Sequence, residues 1–253
     1  MATPASKNSS RRRVLAALAA LPALQGLHGV TGAQAQAETM QQNPVTAIDI
    51  ALEPDATMVQ HAKAANARLL RDFPKGFALD ATHHPHVTML QQFVRTADLD
   101  KVYAALDKAL VGEYPTSWKL KAFKYYYIPI PSVGVAGIVI EPTDDLRRLQ
   151  QKIIDALAPF AVKTGTAAAF MSTGEGNDIQ QSLIDYVANF VAIGSGQKFN
   201  PHVTTGVAPE TYLKEMLSEP FEAFTFSPAS ASVYQLGTFG TARKELKALN
   251  LTP

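Results

Sequence analysis

The sequence predicts an α+β fold. Two observations carry that reading: strand-like and helix-like segments are mixed without regular βαβ alternation, and no short fixed-period repeat runs through the chain. A third bounds the scale. In 253 residues, hydrophobic content of 47% and charged content of 18% are ordinary for a folded protein with a substantial core.

Val45 to Leu52 reads as a short strand ended by Glu53-Pro54-Asp55, and Met58 to Phe73 as a helix stopped by Pro74. Val87 to Val94 is strand-like after the turn-prone His84-Pro85. Ala97 to Leu110 is an amphipathic helix with Leu99, Val102, Leu106 and Leu110 on one face and Asp98 at its start. Trp118 to Ile130 and Gly134 to Ile140 have aromatic and β-branched strand composition. Thr143 is placed to cap a helix running to Leu157, with Leu146, Leu149 and Ile153 on its apolar face. A Gly-, Ser- and Thr-rich stretch, 164–177, precedes a helix near Ile179 to Phe190. A loop then feeds a strand from His202 to Val207, followed by a short helix from Pro209 to Leu217. Phe221 to Phe226 and Ser230 to Leu236 read as strands, and Ala242 to Leu249 as a terminal helix.

The amino terminus reads as an address. Arg11-Arg12-Arg13 leads into an apolar run from Val14 to Leu24, too short for a membrane anchor, and Ala35-Gln36-Ala37 is a small-x-small cleavage site. Ala33-Gln34-Ala35 is a second such site. Ser10-Arg11-Arg12 with this Ala-rich run fits a twin-arginine signal. We therefore expect an export signal at 1–37, a linker at 38–44 and a domain at 45–253, periplasmic or secreted after cleavage near Ala37. An uncleaved basic tail is the alternative. The net charge is +1, but Lys7, Arg11, Arg12 and Arg13 lie in the signal; taking these four from 23 bases, against 22 acids, leaves −3. A mildly acidic body argues against a broad footprint for long nucleic acid. The absence of cysteine excludes disulfides, zinc-thiolate sites and thiol nucleophiles.

The informative feature is the tetrapeptide Pro-His-Val-Thr, at Pro85–Thr88 and again at Pro201–Thr204. In a strand, residues two apart share a face, so His86 projects with Thr88 and His202 with Thr204, while Val87 and Val203 point into the core. Two such strands around one point suit displacement at a phosphodiester. One neutral imidazole accepts a proton from the attacking oxygen, and the other, protonated, gives one to the leaving oxygen. The Thr hydroxyls can donate to nonbridging phosphoryl oxygens. This chemistry needs no metal or other cofactor.

His86-Val87-Thr88-Met89 and His202-Val203-Thr204-Thr205 resemble the His-x-Thr/Ser-apolar signature of the 2H phosphoesterases, which include 2′-5′ RNA ligase-like proteins and 2′,3′-cyclic phosphodiesterases. The resemblance spans residue 44 to the end, and Ser232 to Ala242 looks like the closing strand of a bacterial branch. It implies two pseudo-symmetric lobes, each an antiparallel sheet with helices, around a central cleft with one tetrad per lobe. It also implies catalytic His86 and His202, substrate-binding Thr88 and Thr204, and a small phosphodiester or nucleotide, or a short RNA end, as ligand. Thr205 stands where the family has an apolar residue, and alternation turns it away from the cleft. The resemblance does not say which histidine is the acid. The alternative function is a non-catalytic phospho-ligand or nucleotide-binding protein using the same cleft.

Other features have blander readings. His83 and His84 beside His86 suggest a metal site, but the element that recurs is His-x-Thr and not the histidine cluster. His61 reads as a solvated helix residue. Ser172 to Asn177 resembles a phosphate cradle without the P-loop lysine. Tyr125 to Tyr127 offer a stacking surface, with alternation turning either Tyr126 or its two neighbours to the cleft, and Tyr234 is similarly ambiguous. Lys119, Lys121 and Lys124 read as a solvated strand face. No protein partner and no membrane span in the mature chain is evident.

Overall fold

The computed structural model describes residues 44–171 and 179–251. The expected signal at 1–37, most of the linker and the Ser172–Asn177 stretch lie outside them. The α+β class holds. Among the described residues, nine strands form one antiparallel sheet with five α-helices packed on it. The strands are β1 (Val45–Pro54), β2 (Val87–Arg95), β3 (Leu120–Ile130), β4 (Val133–Ile140), β5 (Ala161–Val162), β6 (His202–Ala208), β7 (Phe224–Phe226), β8 (Pro228–Leu236) and β9 (Ala242–Leu249). The helices are α1 (Ala56–Asp72), α2 (Leu99–Leu110), α3 (Asp144–Leu157), α4 (Gln181–Gly194) and α5 (Glu210–Ser218). The sheet order is β7-β3-β4-β6-β2-β1-β8-β9, with β5 on β2. Two halves, β7-β3-β4-β6 and β2-β1-β8-β9, therefore join where β6 meets β2, at the pairing Val87↔Val203.

The local signals behave as their chemistry requires. Asp55 caps α1 by accepting from the Thr57 and Met58 amides, and Thr143 caps α3 by accepting from Leu146. The apolar face of α3 buries Leu146, Leu149, Ile153 and Leu157, each worth about 1.5–3 kcal/mol. Asp98 lies at the α2 start without a side-chain cap, because the turn Thr96–Asp98 precedes it.

One element differs from expectation. Ala242–Leu249 is not a helix but the edge strand β9, paired with β8 from Ala231↔Leu249 to Leu236↔Ala242. Its composition, Ala-Arg-Lys-Glu-Leu-Lys-Ala-Leu, favours a helix locally. The unpaired edge of β8 supplies a ladder that outweighs this, and the charged side chains of β9 protect the new edge. No helix among the described residues is long and apolar enough to cross a membrane.

Candidate active site

Because β2 and β6 are antiparallel around Val87↔Val203, His86 stands opposite Thr204 and Thr88 opposite His202. A regular ladder would hold the diagonal His86 and His202 Cβ atoms roughly 7–8 Å apart. All four side chains line one cavity of about 850 Å³. Val87 and Val203 are fully buried in the main core.

Each tetrad ends in a bulge. Ile50 pairs with Leu90 and Ala51 with Thr88, so Met89 is the extra residue in β2. Ala136 pairs with Gly206 and Gly137 with Thr204, so Thr205 is the extra residue in β6. Both bulged residues are fully buried. The Met89 carbonyl accepts from Gln150 Nε2 of α3 at 3.2 Å, and the Thr205 carbonyl from Asn66 Nδ2 of α1 at 2.9 Å. A buried side-chain amide thus satisfies each irregular peptide.

The two imidazoles are oriented by one device. His86 Nδ1–H donates to the His84 carbonyl at 2.7 Å, and His202 Nδ1–H to the Asn200 carbonyl at 2.8 Å. In each case a proline intervenes, restricting the preceding residue to extended backbone. With Nδ1 protonated, Nε2 is the atom left for chemistry in both rings.

Their surroundings then diverge. The bulge at Met89 reverses the alternation, so Gln91 joins His86 and Thr88 on the cleft side, where all three meet the fully buried Asp49. Asp49 Oδ2 accepts from Thr88 Oγ1 at 2.8 Å and from Gln91 Nε2 at 2.7 Å, and lies 3.4 Å from His86 Nε2. Burial disfavours a charged His86, but the Asp49 carboxylate and the His84 carbonyl outweigh it and raise the pKa above the ordinary histidine value. His202 goes the other way. Burial, with a contribution from charge on His86, lowers its pKa despite the Asn200 carbonyl and Asp49.

Beside His202 the contact is aromatic: Tyr126 packs edge-on against its ring at 4.8 Å between centroids. Gly137 makes this possible, since a Cβ there would lie 2.7 Å from Tyr126 Cε1. Tyr186 of α4 also lines the cavity, and burial with the Asp49 charge pushes its hydroxyl up to about 12. Of the three consecutive tyrosines, Tyr126 is the one in the cleft. Tyr125 and Tyr127 pack against the cluster of α1 and α5, with Tyr127 Oη donating to Glu210.

Thr88 commits its hydroxyl hydrogen to Asp49, whereas the Thr204 hydroxyl has no hydrogen-bond partner among the described residues and can donate into the cleft. Thr205 does not line the cavity. His83 stacks on Phe77 and accepts from Arg243, and His84 Nε2 meets the Ala81 carbonyl. Tyr234 is buried with its hydroxyl donating to Glu53. His61 stacks on Phe224, and Lys119, Lys121 and Lys124 stay out of the cleft.

Sequence reasoning missed Asp49, Gln91 and Tyr186. For Asp49 a signal existed: a lone carboxylate in the apolar run Ala47-Ile48-Asp49-Ile50-Ala51 is costly to bury unless it has partners.

No family model matches the chain, and no curated protein matches it. Among solved structures, TT0787 of Thermus thermophilus is similar over 81% of this chain and 98% of its own, at 13% identity and a TM-score of 0.49.

Proposed function

We propose that the chain is a metal-independent phosphodiesterase of the 2H type. Its substrate is a small phosphodiester such as a 2′,3′-cyclic nucleotide or a short RNA end. The observation that carries this reading is the opposed bias of two histidines in one cavity, His86 toward the protonated form and His202 toward the neutral one. Near neutral pH this is the pairing that acid/base displacement requires.

His202 Nε2 takes a proton from the attacking water as its oxygen bonds to phosphorus. The ester P–O bond breaks, and His86 Nε2–H gives its proton to the leaving oxygen. The Thr204 hydroxyl donates to a nonbridging oxygen as charge develops. Thr88 acts through Asp49, helping to fix the carboxylate that favours the protonated form of His86. Export, the expectation drawn from residues 1–37, favours small diesters over folded RNA and argues against RNA ligation as a biological role.

The test is incubation of the purified chain with 2′,3′-cyclic mononucleotides in excess chelator, following phosphomonoester formation. Turnover that falls about 10²–10⁴-fold in both His86→Ala and His202→Ala supports the enzyme. Tight binding without product points instead to a phospho-ligand-binding protein, and activity lost on exhaustive chelation to a metal hydrolase. Cell fractionation with amino-terminal sequencing tests export; an intact chain in the cytoplasm would sink it.

A further inference from the structure

We infer that the substrate of this site carries a long apolar substituent, and that its chemical class is a five-membered cyclic phosphodiester of a vicinal diol bearing an acyl or alkyl chain. The inference rests on the phosphodiesterase reading and specifies what is attached to the phosphate.

The cavity gathers its histidine and threonine side chains in one place and carries two long apolar strips, with Gln180, Ser182, Asn200 and Thr238 also in its lining. On the β3–β4 hairpin the cleft-facing residues beyond Tyr126 are Ile128, Ile130, Val133 and Val135, all lining the cavity. From Tyr126 to Ile130 this strip extends roughly 13 Å from the histidines at strand spacing. The second wall is one face of α4, where Leu183, Tyr186, Phe190 and Ile193 recur at three or four residues. The volume, about 850 Å³, lies toward the upper end of small-molecule sites, and a compact cyclic phosphate at the histidines leaves most of it to be filled.

Charge limits the alternatives. Among the described lining residues, the cations apart from the two histidines are Lys75 and Lys198, and none is a carboxylate. That complement suits a single phosphodiester charge better than an oligonucleotide track, which would recruit several cations. Ile128 and Ile193 are 38% and 44% exposed although they line the cavity, so aliphatic surface continues to its mouth.

The step balances with water alone. Water's oxygen bonds to phosphorus and its proton passes to His202. The ring P–O bond breaks, and the freed oxygen takes the proton of His86. A phosphomonoester with a neighbouring hydroxyl results.

The experiment compares 1-octanoylglycerol 2,3-cyclic phosphate, kept below its micelle concentration, with glycerol 1,2-cyclic phosphate and 2′,3′-cyclic AMP on the purified chain. We expect kcat/KM for the acylated diester to exceed that for the unacylated one by about 100-fold, and Ile130→Asp to collapse that ratio. If the chainless or nucleoside diesters are processed as efficiently as the acylated one, the inference is wrong while the phosphodiesterase reading stands. If none of the three is turned over, the phosphodiesterase reading itself fails.

Discussion

The two halves of the sheet carry the same Pro-His-Val-Thr, an upstream carbonyl on Nδ1 and a bulge at the next residue, yet differ at a pair of positions beyond it. In the first half, the residue three beyond Thr88 is Gln91, paired with Asp49. In the second, the residue three beyond Thr204 is Val207, paired with Val135. A carboxylate and an amide therefore flank His86 where two valines flank the equivalent place near His202. One repeated motif thus yields two histidines of opposite bias: a neighbouring anion favours the imidazolium, while an apolar setting favours the neutral ring.

Removing chemistry from both halves at once should have the largest effect. The His86→Ala/His202→Ala double variant should be little slower than either single one, since the pair acts as a unit; additive losses in single-turnover rates would mean that the histidines work independently. Next, Asp49→Asn removes the anion that raises His86. The alkaline limb of the kcat pH profile should move to lower pH, with about a tenfold loss at pH 8, a fraction of the full acid contribution, and little change in KM. An unmoved limb would show that Asp49 is merely structural. The converse variant, Val135→Asp, places a carboxylate in the second half. It should raise His202 and move the acid limb to higher pH, making the halves alike.

The bulge supports give a smaller, structural contrast. Asn66 makes three buried hydrogen bonds, to the Phe77 and Thr205 carbonyls and from the Leu79 amide. Gln150 makes two, to the Met89 and Gly194 carbonyls. Leucine should cost about 3–4 kcal/mol at position 66 and about 2 kcal/mol at 150, by the penalty for orphaned buried groups, measured by urea unfolding. The smallest effect is on stability against pH. A raised folded pKa at His86 stabilises fully below the unfolded value of about 6.5, and that contribution is lost as pH rises through the folded value. His202, lowered on folding, opposes stability as pH falls below that same value. Tm measured between pH 5 and 9 should show the alkaline loss in the parent chain and not in Asp49→Asn.

Much of this molecule was written in local sequence. Hydrophobic spacing gave α2 and α3, Thr143 gave a cap, and the repeated Pro-His-Val-Thr gave four side chains of the cleft, since strand alternation is a property of the backbone alone. Tertiary structure decided the rest. Ala242–Leu249 became a strand because the β8 edge needed pairing, which no local propensity records. Met89 and Thr205 became bulges because Gln150 and Asn66, distant in sequence, satisfy their carbonyls. Asp49, on a different strand from His86, joined the site only through that first bulge. The two tetrads determined that a histidine pair exists; the difference between Asp49 and Val135, fixed by strand register, set the two imidazoles apart in the direction of their pKa shifts.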